Sequence, residues 1–276
     1  MNKKEKKMNI KKIVKIGLVM ATSLSLVACA SKESTDNSLK NVQDKGTLVV
    51  ALSPEYAPFE FRTLVDGKDT IVGADFELAK EIGKELGVEV EFSAMSFDNV
   101  LNSVQNGKVD LAISGISATE ERAKVFDFSI PYYTSTNKLI INKVNSSQFT
   151  SISSLESAKI GVQKGSIQEK IANDLLPNAS KVSISSNGEL VNELKAGKID
   201  SIIFEEPIAN AYVAKNDDLM IVDTEIESNY TDAYAVALPK GSTALKEKVD
   251  AVIEKLVSEG KFDTFVQEAY DLSISN

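Results

Sequence analysis

The sequence predicts an α/β fold divided into two lobes. Three observations predict it. From Thr47 onward, short apolar runs alternate with stretches of helical periodicity. The segment Asn106-Gly-Lys-Val-Asp110-Leu-Ala-Ile is echoed ninety residues later by Ala196-Gly-Lys-Ile-Asp200-Ser-Ile-Ile. And each of the two similar halves is too small to enclose one large core of its own.

Taken in order, Leu48 to Leu52 reads as a short buried strand ending at Ser53-Pro54. Ala74 to Leu86 places Phe76, Leu78, Ala79, Ile82 and Leu86 near helical spacing, with Gly87 as its C-terminal cap. Val88 to Phe92 alternates as a strand. Phe97 to Gln105 is a helix closed by Asn106-Gly107, and Val109 to Ile113 is a strand. Thr119-Glu120-Glu121-Arg122 opens a short helix, and Lys138 to Asn142 is a strand. The second half repeats the plan: strand Lys159 to Val162, helix Ser166 to Leu175, strand Val182 to Ile184, helix Gly188 to Ala196, strand Ile199 to Phe204. Helical stretches Thr243 to Glu259 and Lys261 to Ala269 have no following strand and are expected to pack back on the first lobe. Asp110 and Asp200, equivalent in the echoed segment, read as turn and strand-entry residues.

The first 28 residues are different material. Seven lysines between Lys3 and Lys15 precede an apolar run, Ile16 to Val27, which is too short to span a bilayer but suits a signal-peptide core. Leu26-Val27-Ala28-Cys29 resembles the bacterial lipobox, in which the cysteine is lipidated with palmitate-like acyl chains and becomes the mature N-terminus. Residues 29–45 are polar and are expected to form a flexible tether.

Composition narrows the chemistry. The 276 residues include 31 basic and 40 acidic side chains, one cysteine and no histidine, for a net charge of -9. Losing residues 1–28 removes seven lysines and Glu5, leaving 24 basic and 39 acidic residues and a charge of -15. That balance argues against nucleic acid. Without histidine there is no Ser-His-Asp or Cys-His relay and no imidazole zinc ligand, and one cysteine permits no internal disulfide or thiolate cluster. No catalytic residue, cofactor or metal is expected. Only two of the basic residues, Arg62 and Arg122, are arginines, so each raises the question of what required a planar fork.

For Arg122 the surroundings offer an answer. Strand Val109 to Ile113 delivers Ser114, Gly115 and Ser117 at its carboxyl end, where open α/β sheets hold ligands. Hydroxyls and carbonyls receive an ammonium; a guanidinium with helix-entry N–H groups receives a carboxylate. The pattern suits a zwitterion.

Five stretches resemble the bacterial family 3 extracellular solute-binding proteins, the amino-acid receptors of ABC importers. They are Tyr56-Ala-Pro-Phe-Glu60, Gly73 to Leu86, Asp110 to Arg122, Phe126 to Tyr133 and Gly161 to Glu169, within a likeness covering roughly residues 46 to 272. Ala74 departs from the larger apolar residue usual after that glycine. The resemblance implies a periplasmic-binding-protein-like type II (Venus-flytrap) fold, with lobe 1 at 46–133 plus 233–276 and lobe 2 at 138–228. The hinge crossings would be 134–137 and 229–232. It further implies that Arg122 pairs with a ligand α-carboxylate, aided by the N–H groups of Ser117 and Ile167. The ammonium would go to the Gly115 carbonyl, the Ser117 hydroxyl and Glu205, with Glu206 as a substitute. Tyr56 and Phe97 would sandwich the ligand side chain, with Ser114 at the strand end and Gln168, Lys164 and Ser166 lining the second lobe. Ser53 stands where basic-amino-acid binders often carry an acid, so basic and polar neutral ligands both stay open. The partners implied are a free amino acid and an ABC permease with its ATPase. The receptor is expected to be a monomer held on the outer face of the cell membrane by lipid on Cys29. An enzyme on the same fold, resembling certain dehydratases, and a non-transporting sensor or adhesin are the alternatives.

Replacing Cys29 with serine is expected to release the protein into the culture medium. Retention of the C29S protein in the membrane fraction would refute the lipid anchor.

Overall fold

The computed structural model describes residues 36–226, 228, 230 and 233–275. Cys29, the signal peptide and residues 29–35 of the expected tether lie outside these, as do positions 229, 231 and 232 of the second expected crossing.

Two five-stranded sheets organise the described chain. In the first, the spatial order is Glu89–Ala94, Thr47–Leu52, Leu111–Ala112, Ala237–Pro239 and Phe126–Phe128. In the second it is Ser180–Ile184, Lys159–Gln163, Ser201–Glu205, Asn137–Asn142 and Leu219–Val222. Each sheet has three parallel strands followed by an antiparallel pair or partner. The inner parallel strands are largely buried because helices cover both faces, whereas the edge strands Glu89–Ala94 and Ser180–Ile184 mix apolar with exposed polar residues. In the first sheet, Leu48, Val50 and Leu111 face the helix Ala74–Leu86, whereas Ala51 and Ala112 pack with Phe97, Val100 and Val104 of the helix Phe97–Gln105. In the second, Leu139, Ile141, Ile160 and Val162 form a core with Ile167, Ile171 and Ala172.

The sequence echo is a structural echo. Asp110 Oδ2 accepts the Val49 N–H at 2.7 Å, and Asp200 Oδ2 accepts the Lys159 N–H at 2.7 Å. Each aspartate thus bonds a strand N–H near the start of the second strand in its own sheet. Before each, a glycine in left-handed conformation (Gly107, φ 62°, and Gly197, φ 70°) turns the chain out of its helix, a backbone state that disfavours any Cβ.

The expectation for residues 29–45 needs correction. Ser38–Lys45 is a helix, not tether, and Val42 is buried in the core with Leu39 beside it. The polar composition concealed a single apolar stripe of two residues at i, i+3 spacing. Asp36 and Ser38 accept N–H groups from Ala244 and Leu245, which fixes this helix onto Thr243–Ser258. Strand Val109 to Ile113 is shorter than expected, paired as ladder only over Leu111–Ala112. A three-stranded antiparallel sheet, Glu55–Tyr56, Glu60–Val65 and Lys68–Val72, was not anticipated. Its signal was Asp66-Gly67, both at positive φ (52° and 77°), the pair a tight hairpin turn requires.

The C-terminal helices behave as expected of them and slightly more. Thr243–Ser258 packs on Ala74–Leu86, while Lys261–Ser275 touches both that helix and Glu206–Ala214 beside the second sheet. Between the sheets, Tyr133 and Thr134 pair antiparallel with Tyr234 and Ala233.

Asp110→Ala and Asp200→Ala should each lower unfolding free energy by about 1–3 kcal/mol, since each leaves a strand N–H without its acceptor. Urea denaturation checks this, and an unchanged midpoint for both variants would contradict the shared role.

Candidate ligand-binding site

The two sheets direct their strand ends at one small cavity. It holds only about 10 Å³ of open space and is lined by Tyr56, Phe97, Gly115, Ser117, Arg122, Gln163, Ser166, Ile167, Gln168 and Glu205. Larger clefts of about 560 and 420 Å³ exist, but they are more open to solvent and neither holds Arg122 or the N-terminus of Ile167–Leu175. Chemistry rather than size singles out the cavity.

Gly115 shapes its floor. The residue sits at φ 54°, and a Cβ there would lie 2.7 Å from Tyr56 Cε1, so the tyrosine ring lies directly over the glycine. Its N–H donates to Asp75 Oδ2 at 3.0 Å. Tyr56 in turn donates its hydroxyl to Glu205 Oε2, joining the first-sheet side to the second. Burial, followed by the Glu205 charge, pushes the Tyr56 phenol well above its ordinary range.

Arg122 occupies the last turn of the short helix Glu120–Ala123, capped by Thr119. Its Nη1 donates to the Ser117 carbonyl at 2.8 Å and its Nη2 to the Gly165 carbonyl at 3.0 Å. Its guanidinium lies 5.8 Å from the centre of the Phe97 ring. Desolvation lowers its pKa to about 10, against the opposing pull of Glu205, so it stays cationic at neutral pH. Among the described residues it has no ion-pair partner. Two carbonyls use two of its five N–H donors. Arg62, by contrast, is an exposed side chain paired with Asp69 at 2.7 Å across the hairpin.

The opposite wall is a helix N-terminus. Ser166 caps Ile167–Leu175 by accepting the Glu169 N–H at 3.3 Å, leaving the Ile167 and Gln168 N–H groups without intrahelical acceptors. Such an end favours an anion. Gln168 Nε2 is held by Asn137 Oδ1 at 2.9 Å.

The structure thus brings together Tyr56, Phe97, Gly115, Ser117, Arg122, Ser166, Ile167, Gln168 and Glu205. It does not bring in four other candidates. Ser114 turns inward, donating to Glu60 Oε1 at 2.5 Å and accepting the Ser53 N–H at 3.0 Å. Ser53 lies buried beside it and lines a different surface groove. Lys164 pairs outside with Asp98 at 3.2 Å. Glu206 is exposed, bonded to Thr136 at 3.1 Å and 3.6 Å from Lys138. Sequence reasoning missed Gln163, the final residue of strand Lys159–Gln163. Its place at a strand's carboxyl end within Gly161 to Glu169 was the available signal.

Comparison with known proteins follows this geometry. The model of bacterial extracellular solute-binding proteins, family 3, matches residues 48–270. A solved amino acid ABC transporter substrate-binding protein, AbpA from Streptococcus pneumoniae bound to L-arginine, is 54% identical. Its TM-score is 0.83, over 85% of this chain and 99% of that one. The arginine-binding extracellular protein ArtP of Bacillus subtilis is 33% identical over 259 residues, covering 92% of this chain and 96% of that protein. A probable histidine-binding protein of Campylobacter jejuni is 32% identical over 266 residues, covering 95% and 100%.

Gly115→Ala is expected to weaken ligand binding by at least about tenfold, because displacing Tyr56 also displaces its bond to Glu205. Calorimetry giving wild-type affinity for G115A would show that the ring does not define the site.

Proposed function

Because the chain belongs to the bacterial extracellular solute-binding proteins of family 3, we propose that it captures a free L-amino acid with a basic side chain. Arginine is the first candidate. The observation that carries this reading is Arg122: a half-buried guanidinium, in hydrogen bonds only to carbonyls, with no ion-pair partner among the described residues. A ligand α-carboxylate supplies the missing partner, and the N–H groups of Ile167 and Gln168 add donors from the opposite wall.

Glu205 and the Gly115 carbonyl then face the α-ammonium. The flat faces of Tyr56 and Phe97 suit a guanidinium or imidazole in the ligand side chain. Relatives named for arginine and histidine binding support a basic ligand over a neutral one. The same names support a binder rather than an enzyme.

Closure follows from geometry. Ligand contacts come from both sheets, so a ligand that engages both favours the closed arrangement by that differential binding alone. The loaded receptor, a monomer tethered outside the cytoplasm by lipid on Cys29, would hand its ligand to an ABC permease driven by its ATPase.

Arg122→Ala should cost roughly 2–5 kcal/mol of L-arginine affinity, the range for removing one partner of a buried, hydrogen-bonded charge pair. A loss below threefold by calorimetry would sink the carboxylate assignment.

A further inference from the structure

Beneath the cavity floor lies a second polar system that the ligand lining does not use. Glu60 and Asp75 are both 0% exposed. Glu60 Oε1 accepts the Ser114 hydroxyl at 2.5 Å. Asp75 Oδ2 accepts the Gly115 N–H at 3.0 Å and the Tyr132 hydroxyl at 2.9 Å. The other two oxygens, Glu60 Oε2 and Asp75 Oδ1, are buried without a hydrogen-bond partner among the described residues. No lysine or arginine pairs with either carboxyl there.

Two ionised carboxylates do not share a dry site without a cation; one proton resolves the repulsion. The bonding is asymmetric. Asp75 is served by two donors, a backbone N–H and a phenol, whereas Glu60 is served by one hydroxyl. Charge therefore settles on Asp75 and the proton on Glu60.

We propose that Glu60 and Asp75 form a one-proton acid pair that positions the strand end Ser114–Gly115 and sets one negative charge behind the ligand's cationic groups. Glu60 holds Ser114, and through it the Ser53 N–H; Asp75 holds Gly115, on which the Tyr56 ring rests. Both act through other residues and touch no ligand, so they are positioning residues.

The titration behaviour agrees. Burial first, then the Asp75 charge, holds Glu60 well above the ordinary carboxylate range, with Glu205 adding to the rise. Burial raises Asp75 to about 6, opposed by Gly115, Tyr132 and Glu60. The phenols facing the pair, Tyr132 and Tyr234, are raised well above their ordinary value by burial and stay neutral. A carboxyl whose folded pKa lies above its unfolded one contributes full stability below the unfolded value. That contribution is lost as pH rises toward the folded value.

The test has two arms on the mature chain. In the first, thermal unfolding compares wild type with Glu60→Gln, which keeps a neutral donor but needs no proton. The melting temperature of E60Q relative to wild type should climb between pH 5 and pH 8 by on the order of 2–4 °C or more. A constant difference, or failure of E60Q to fold, overturns the acid pair. The second arm rests on the amino-acid-capture reading and titrates L-arginine and L-glutamine. Glu60→Ala and Ser114→Ala should each weaken L-arginine binding by about tenfold, with Glu60→Gln recovering most of the loss. Asp75→Asn should lower the arginine-to-glutamine affinity ratio by about tenfold. Unchanged affinity in E60A and S114A overturns positioning, and an unchanged ratio in D75N overturns the charge. Absence of any wild-type binding would defeat the capture reading while leaving the first arm to decide the acid pair.

Discussion

A cation partly withdrawn from water with no ion-pair partner in contact is costly, and the region around Arg122 is arranged around that cost. The guanidinium is steadied by the carbonyls of Ser117 and Gly165, from opposite sides of the cavity, and by the face of Phe97. None of these neutralises it. With 29 lysines available for surface charge, the chain spends one arginine on an exposed hairpin pair and the other here. Lysine at this position would lack the fork that reaches two carbonyls and still presents donors to a planar anion.

The walls meet through contacts of unequal worth. At the rim, Lys164 with Asp98 and Lys170 with Glu121 join the two sides as largely exposed pairs, each worth little in water. Glu55 reaches Ser186 at 2.8 Å and, through its carbonyl, the Tyr212 hydroxyl at 3.1 Å. Deeper in, the Tyr56 bond to Glu205 is buried, while the Arg122 bond to Gly165 joins the two sides nearer solvent. Weak rim pairs and a few inner bonds suit lobes that must also part. In the proposed reading the ligand supplies the remaining preference for closure, and the acid pair beneath Gly115 keeps the floor in register while it does.

Much of this was written in the sequence, for identifiable reasons. The Asn106 to Ile113 echo at Ala196 survived because both copies do one job, an aspartate bonding an N–H near the start of the neighbouring parallel strand. The stretch Ser114 to Arg122 stood out because an arginine is rare here and follows a strand end. What stayed hidden depended on direction. Beyond the strand Leu111–Ala112 the chain bends, so Ser114 turns into the interior while Gly115, at φ 54°, forms floor; Glu205 lines the cavity while Glu206 at the following helix start meets solvent. Composition could not choose between such neighbours. The helix Ser38–Lys45 was hidden for another reason: two apolar residues suffice when Thr243–Ser258 supplies the other half of the contact.

The central claim is that Arg122 exists to bind a ligand carboxylate, and comparing L-arginine with agmatine, the same side chain without that carboxylate, tests it most directly. By isothermal titration calorimetry the wild-type protein should bind agmatine at least about 30-fold more weakly than L-arginine. Equal affinities would mean that the half-buried guanidinium serves the protein alone, and the account built on it would fail.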